Sequence, residues 1–180
     1  MLEKTRGIIL HQIKYTDSGI IAQLYTRNFG RQSFIIKGMR NRRSGKHNIL
    51  FQPMFILDLE INYKASREMN FMKEFSVSYS PYDIYSDIKK SSVAIFLGEV
   101  LTSVLKEESP HEEMFDYIEK SIIYFDRCKE SYANFHIAFL YRSYPSTSSG
   151  RTVWNKKLFI PFVVSLSNHI EHFYQFIIES

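Results

Sequence analysis

Hydrophobic and polar residues alternate along the first 79 positions in the way that β-strands require. In the segment 55–61 every second residue is apolar, whereas Asp58 and Glu60 fall on the opposite face. Similar strand patterns cover residues 5–13, 20–26, 31–37 and 70–77. Five short antiparallel strands predict a small barrel. The OB-fold is the commonest five-stranded form, although an SH3-like barrel leaves much the same trace.

From Ser80 the period of the apolar residues changes to that of an α-helix. Ser80-Pro and Ser109-Pro each predict a helix start, with serine as the cap and proline at the first helical position. Helices are predicted at about 87–106 and 112–128, and Ser131 caps a third segment. The predicted core stripes are Val93, Phe96, Leu97, Val100, Leu101 and Val104 in the first helix, Phe115, Ile118, Ile122 and Phe125 in the second, and Tyr132, Phe135 and Phe139 in the third. The fold class is therefore α+β, with a barrel at 1–79 and a helical bundle domain at 80–143.

Charge is distributed unevenly along the chain, although the net charge is only +4. Residues 1–64 contain 11 Lys and Arg against 4 Asp and Glu, whereas residues 65–140 contain 8 against 13. A basic front and an acidic middle indicate two modules with different partners.

A run of cations without any acid follows the third predicted strand. These cations are Lys37, Arg40, Arg42, Arg43 and Lys46. Gly38 and Gly45 give the backbone of this basic loop freedom to bend. Together with Lys14, Arg27 and Arg31 in the same barrel, the loop predicts a surface that neutralises the phosphates of a nucleic acid. The aromatic residues available to stack on bases are Tyr15, Tyr25, Phe29, Phe34 and Phe51, several of which the core must take up.

No motif for catalysis or cofactor binding emerges from the sequence. The two glycines of the basic loop are separated by six residues where a nucleotide P-loop has four, and His47 replaces the Mg²⁺-binding Ser or Thr. His169 and His172 share a helix face, but no third metal ligand accompanies them. Cys128 is the only cysteine, which excludes an intrachain disulfide and a thiolate zinc cage. We therefore expect no enzyme activity, no metal and no cofactor.

Several of these residues together resemble the RecO family of bacterial recombination mediators. The resemblance rests on Gly7-Ile-Ile-Leu10, Tyr15, Asp17-Ser18, Leu24, Thr26 and Gly30, on Lys37-Gly38-Met-Arg40, and on Leu50-Phe-Gln-Pro53. It extends through the helical segments to about residue 140, with Glu99 in the first helix and Ser-Pro before Phe115. The run Lys-Gly-x-Arg after an apolar strand is its most specific part.

The resemblance implies an OB-fold followed by an all-helical domain, without catalytic chemistry. It further implies a protein of DNA repair and homologous recombination that binds single- and double-stranded DNA and anneals complementary strands. The implied protein partners are RecR, the acidic tail of the single-stranded DNA-binding protein SSB and, indirectly, RecA. The helical domain would receive the SSB tail, and Lys89, Lys90 and Arg127 are candidate cations for it.

The sequence departs from the family in two respects. Many members carry a cysteine zinc site in the helical domain, which a single cysteine cannot supply. Residues beyond about 140 do not align with the family pattern, and 144–180 form an atypical tail that starts with a linker-like composition. We hypothesise that a frameshift or an insertion replaced the original carboxy-terminus and left the helical domain incomplete. An uninterrupted reading frame similar to close relatives through residue 180 would contradict this.

Location and alternative functions follow from simpler features. The first residues are charged rather than apolar, and the longest apolar run, 158–166, is too short to cross a bilayer, so a cytoplasmic, nucleoid-associated protein without membrane contact is expected. A cationic barrel by itself does not distinguish DNA from RNA or from an acidic protein. An RNA-binding OB module and a protein-interaction scaffold therefore remain alternatives.

Overall fold

A computed structural model describes residues 2–16, 19–36, 51–64, 69–105, 110–129, 132 and 134–143. All of these residues belong to one unit, Met1–Ser143. The predicted basic loop and the predicted tail at 144–180 lie outside the described residues, and so do the candidate metal ligands His169 and His172.

Five strands close into a barrel in the order β1-β2-β3-β5-β4. The strands are β1 Leu2–Thr16, β2 Gly19–Thr26, β3 Gly30–Ile36, β4 Ile56–Asn62 and β5 Met69–Tyr79. This is a five-stranded OB-fold barrel, so the predicted fold class is confirmed. The expectation that all strands pair antiparallel is wrong for β3 and β5, which run parallel. Directions cannot alternate all the way around a closed ring of five strands, so at least one pair must be parallel.

The parallel pair between β3 and β5 is short, and buried amide side chains support it. Only Ser33–Ile35 of β3 pairs with Met69–Phe71 of β5. The Asn70 side chain is fully buried, and its Nδ2 donates to Gln32 Oε1 at 3.1 Å. Gln32 Nε2 in turn donates to the Phe29 carbonyl at 2.8 Å. These bonds satisfy polar groups at the place where the barrel closes.

Alternate residues of the strands point inward and form the barrel core. The buried core residues are Ile9, Ile20, Ala22, Leu24, Phe34, Ile36, Phe51, Phe55, Leu57, Leu59 and Ile61. In β1 the pairing shifts between Ile9 and His11, so Leu10 is an extra residue in that strand. Leu10 is nevertheless fully buried, because the helices cover this part of the outer surface.

Four helices follow the barrel in the described part of the chain, and two of them confirm the helices predicted at about 87–106 and 112–128. They are α1 Tyr82–Ser86, α2 Ile88–Val104, α3 Glu112–Arg127 and α4 Phe135–Ser143. Pro81 occupies the cap position of α1 with ψ 79°, outside the helical range, and His111 caps α3 by accepting from the Met114 N–H at 3.4 Å. Serine caps followed by proline as the first helical residue are therefore wrong for both helices. Asp87 caps α2, since its side chain accepts from the Lys89 and Lys90 N–H groups.

The predicted apolar stripes are confirmed in α3 and only partly in α2. Phe115, Ile118, Ile122 and Phe125 of α3 are all buried. In α2, Leu97, Val100 and Leu101 are buried and Val93, Phe96 and Val104 partly so. Lys90, Ala94 and Gly98 are buried as well. A helix that contacts neighbours on more than one side does not show a single apolar stripe.

Gly98 is the point of closest approach between α2 and the barrel. A Cβ atom at this position would lie 2.4 Å from the Leu10 carbonyl oxygen and 3.0 Å from Pro53 Cβ. The nearest atom belongs to the backbone of β1, so it cannot move aside as a flexible side chain can. Only glycine allows the helix to lie this close to the strand.

Asp126 is the centre of a buried polar cluster that joins β5, α1, α2 and α3. Its Oδ2 accepts from the Tyr79 hydroxyl at 2.7 Å and its Oδ1 from the Ile84 N–H at 2.8 Å. The buried Lys90 Nζ donates to the Asp126 carbonyl at 2.9 Å and lies over the Tyr132 ring. Burial, assisted by Asp126, raises the pKa of the Tyr79 hydroxyl to about 12. Each of the four elements contributes a polar group to this cluster, and each group is hydrogen-bonded there.

We predict that Gly98→Ala destabilises the protein, although alanine normally favours a helix by about 1 kcal/mol over glycine. The added methyl group collides with the β1 backbone, and such overpacking costs about 1–3 kcal/mol. Urea denaturation measures the difference. Ser103→Ala, at an exposed position of the same helix, serves as the control and leaves stability equal or slightly higher. A Gly98→Ala protein as stable as the parent would contradict the close approach.

We also predict that Asp126→Ala lowers the free energy of unfolding by about 2 kcal/mol or more, because the buried Ile84 N–H and the partly buried Tyr79 hydroxyl lose their acceptor. Tyr79→Phe should cost less, since it removes one donor and leaves the Ile84 bond in place. Lys120→Ala, on the exposed side of α3, is the control and should change stability little. If Asp126→Ala were no more harmful than Lys120→Ala in urea denaturation, the cluster would not stabilise the fold.

Candidate nucleic-acid interface

One end of the barrel carries both Lys14 and the start of the basic loop. In the sheet register Lys14 pairs with Ile20, and Ile20 pairs with Ile36, the last residue of β3. Adjacent strands are about 4.8 Å apart, so the Lys14 and Ile36 backbones lie about 10 Å from each other. Lys14 is exposed, and Lys37 follows Ile36 directly in the chain. The sequence could not show this proximity, because it depends on the register.

The cations of the basic loop, which form the rest of the predicted site, lie outside the described residues. They are Lys37, Arg40, Arg42, Arg43 and Lys46. Their assignment to DNA binding stays a prediction. Phe51 is the first described residue after the loop. It is fully buried and contacts Phe75 edge-on at 5.1 Å.

Arg27 and Arg31, also predicted to bind DNA, contact the helices. Arg27 Nη2 forms an ion pair with Asp116 of α3 at 3.1 Å, and its guanidinium lies over the Phe115 ring. Arg31 Nη1 donates to the Thr102 carbonyl of α2 at 3.1 Å. Both side chains therefore join the barrel to the helical domain. Their DNA-binding role stays a prediction.

Arg6 adds a third connection between the basic barrel and the acidic helices. Its Nε donates to Asp58 at 3.0 Å and its Nη1 to Glu119 of α3 at 2.8 Å. The hydrogen bond to Asp58, with help from Glu119, raises the pKa of the Arg6 guanidinium. Part of the charge asymmetry in the sequence is thus neutralised inside the chain. The prediction that the basic and acidic parts serve different partners does not include these internal ion pairs, which depend on tertiary contacts.

A groove of about 580 Å³ runs over the barrel surface near these pairs, but its charge is mixed. Its lining includes the cations Lys4, Arg6 and Arg27 and the acids Asp58, Glu60 and Glu74. Because a polyanion would meet three carboxylates here, this groove fits the predicted DNA site poorly.

Of the aromatic residues proposed for base stacking, three belong to the interior. Tyr25, Phe34 and Phe51 are buried, and burial raises the pKa of the Tyr25 hydroxyl to about 12. Phe29 is half-buried and stacks on the Tyr63 ring at 4.1 Å. Tyr15 is 54% exposed and follows Lys14 in β1. Tyr15 is therefore the one member of the predicted set with an exposed ring.

The helical domain has a small pocket on the outer side of α3. Lys120, Ile123, Tyr124, Arg127 and Cys128 line this space of about 390 Å³. Of the cations suggested for an acidic tail, Arg127 lines the pocket, whereas Lys89 lies elsewhere, at the start of α2. The pocket combines two cations with apolar surface, as a site for an acidic peptide with an aromatic end requires.

Lys90 is not available for an acidic tail. Its side chain is buried, and its Nζ is bonded to the Asp126 carbonyl. The suggestion of Lys90 as a tail contact is therefore wrong, because tertiary packing removes this ammonium group from the surface.

In the described part of the chain, no three His, Cys, Asp or Glu side chains come together as metal ligands. No helix in these residues has the length and apolar character to cross a membrane.

Comparisons with known proteins assign the two parts of the chain separately. Residues 1–81 match the family model "Recombination protein O N terminal", and residues 85–145 match "Recombination protein O C terminal". The DNA repair protein RecO of Phocaeicola vulgatus is 39% identical over 161 residues, 84% of this chain and 65% of that protein. RecO of Bacteroides fragilis is 39% identical over 143 residues, 79% of this chain and 59% of that protein.

A third relative, RecO of Flavobacterium psychrophilum, is 27% identical over 188 residues and covers 98% of this chain and 79% of its own. The chain spans less than two thirds of the length of the Phocaeicola and Bacteroides relatives. The hypothesis of a replaced carboxy-terminus stays a prediction. Since the two family models together match residues 1–81 and 85–145, the chain belongs to the RecO family.

Proposed function

We propose that this protein binds DNA in repair and recombination without catalysing a reaction. Membership of the RecO family supports the proposal, and its relatives carry the name DNA repair protein. The observation that carries it is the register that aligns Lys14, Ile20 and Ile36, because exposed Lys14 then adjoins the start of a loop with five cations. A polyanion is the partner that such a cluster attracts.

The proposed mechanism is the reduction of repulsion between phosphate backbones. Cations of the loop and of the barrel end neutralise phosphates on two strands at once, which lowers the barrier to their pairing and supports annealing. Binding of this kind recognises the backbone rather than the base sequence. It needs no group that accepts or donates a proton during a reaction.

We predict that replacing Arg40, Arg42 and Arg43 with Ala weakens DNA binding by about tenfold or more for all sequences alike. Each lost phosphate contact lowers the slope of log affinity against log salt by about 0.9, so the slope should fall by up to about 3. Fluorescence anisotropy with labelled single-stranded and duplex oligonucleotides measures both quantities.

The control is a second triple variant, Lys89→Ala, Lys120→Ala and Lys129→Ala, which removes the same charge from exposed positions of the helical domain. It should bind DNA nearly as the parent does. If both triple variants lost affinity equally, net charge alone would explain binding and the loop would have no special role. An RNA oligonucleotide of matched sequence tests the RNA-binding alternative.

For the protein partners, we propose that the pocket on α3 receives the acidic tail of SSB and that RecR and, indirectly, RecA act with this protein. The support for the tail is the pocket chemistry: Lys120 and Arg127 flank Tyr124, which is 65% exposed. Cations beside an exposed ring suit carboxylates next to an aromatic residue.

We predict that Arg127→Ala lowers the affinity for an acidic peptide that ends in Phe by about 5- to 10-fold. Loss of the terminal Phe from the peptide should have a similar effect. Isothermal titration calorimetry measures the binding, and Lys89→Ala is the matched control, because Lys89 is an exposed cation away from the pocket. If the Arg127→Ala and Lys89→Ala proteins bound the peptide equally well, the tail would not bind in this pocket.

A further inference from the structure

Four apolar residues form a row across four strands on the outside of the barrel. In the register, Ile13 of β1 pairs with Ile21 of β2, Ile21 pairs with Ile35 of β3, and Ile35 pairs with Phe71 of β5. Ile21, Ile35 and Phe71 each follow a buried residue of their strand, so they face outward, and Ile13 shares their face through the register. We call these four residues the apolar row.

A second outward row lies beside the apolar row on the same strands and is uncharged too. Its members, in pairing order, are His11, Gln23, Ser33 and Met69. No Lys, Arg, Asp or Glu occupies a position in either row. Lys14, which follows Ile13, is in register with the inward-facing Ile20 and therefore does not belong to this face. The centres of protein–protein interfaces are depleted of charge in the same way.

The apolar row is accessible in the folded unit. Ile13 is 48% and Phe71 is 43% exposed, and Ile21 and Ile35 are partly exposed. Met69 of the second row adds a side chain that is 38% exposed. Apolar side chains gathered on one face of a sheet indicate a binding surface more strongly than the same residues scattered singly.

The helices limit this face on the side of the second row. His11 Nδ1 lies 3.2 Å from a carboxylate oxygen of Glu99 in α2. Further along β2, the buried Tyr25 ring lies near the Phe115 ring of α3. The helices therefore cover the neighbouring part of the outer surface and leave the apolar row open.

The chemistry of the face fits a second copy of the same face. The partners proposed above, a phosphate backbone and an acidic peptide, need cations, and neither row supplies one. Two identical uncharged faces, by contrast, pack together without burying an unpaired charge. Sheets pack face to face in this way, with their backbones about 10 Å apart.

The order of the residues in the apolar row suits a two-fold axis. Ile13 and Phe71 are the ends of the row, and Ile21 and Ile35 are its middle. An axis that runs parallel to the strands, between the two sheets and midway along the row, places Ile13 of one copy opposite Phe71 of the second copy. The same axis places Ile21 opposite Ile35, so every contact along the row joins two apolar side chains.

We propose that the apolar row joins two copies of this chain in a symmetric dimer, with Ile13 of each copy opposite Phe71 of the other. The inference goes beyond the proposed DNA binding and does not depend on it. Four strands at about 4.8 Å spacing span about 14 Å, so the face buries less than the roughly 800 Å² per partner of a standard interface. Because contacts of this smaller class are weak, the dimer is reversible and dissociates on dilution.

Sedimentation equilibrium of the full chain, without nucleic acid, tests the dimer. Protein concentrations from about 5 to 200 µM cover the range in which a weak dimer with a Kd of about 10–100 µM dissociates. Ile13→Lys and Phe71→Glu should each raise the Kd by about tenfold or more, because each buries an unpaired charge in the contact. Ile88→Lys, at an 82% exposed position of α2 away from the row, is the control and should change the Kd by less than about twofold.

The double variant Ile13→Lys with Phe71→Glu tests the proposed axis. In the proposed dimer the new ammonium group of one copy faces the new carboxylate of the second copy, so the double variant should regain most of the lost affinity. If the axis ran along the row instead, each new charge would face its own equivalent, and the double variant would dimerise less than either single variant. Because the substituted side chains are exposed in the monomer, all variants should keep the circular dichroism spectrum of the parent.

Four results would overturn the proposal. The first is a parent protein that stays monomeric at every concentration, which would leave the face to a different partner. The second is a dimer that neither single variant of the row weakens. The third is a dimer that Ile88→Lys weakens as much as Ile13→Lys does. The fourth is a double variant that regains no affinity. None of these results bears on the proposed DNA binding, which fluorescence anisotropy measures separately.

Discussion

The close approach of α2 to β1 at Gly98 is the constraint on which the arrangement of this unit depends. A helix backbone that lies against the Leu10 carbonyl fixes the distance between the helical domain and the barrel. The surrounding polar contacts, Arg31 to Thr102 and Arg27 to Asp116, then form between groups already held near each other. Such partly exposed pairs contribute little stability singly, so shape complementarity rather than charge dominates the contact.

This packing divides the outer surface of the barrel and suggests a division of roles. The half under the helices uses barrel cations for internal contacts, as Arg6 with Glu119 illustrates. The opposite end of the barrel keeps Lys14 exposed beside the start of the basic loop. The basic residues of the barrel therefore fall into two groups. One group forms ion pairs with acids of the helices, and the other lies at the barrel end near Lys14. The second is the one proposed to meet a nucleic acid.

The predictable features were those governed by local pattern. Alternation revealed the strands because one side of each faces the core, and α3 showed its stripe because it is buried on one side. The parallel β3–β5 pair, the buried Lys90 and the close contact at Gly98 depend on tertiary neighbours, so no local pattern carries them. For the candidate site, the cations are visible in the sequence, but only the strand register brings Lys14 near Ile36 at the end of β3.

Hydrogen exchange of the full chain with and without oligothymidine tests the central claim most directly, because it reports on both halves of the outer surface at once. The account predicts that bound oligonucleotide slows exchange at the end of β1, the start of β2 and the end of β3, near Lys14, Ile20 and Ile36, and leaves α2 and α3 unchanged. Slower exchange confined to the helices, with the barrel end unaffected, would contradict it.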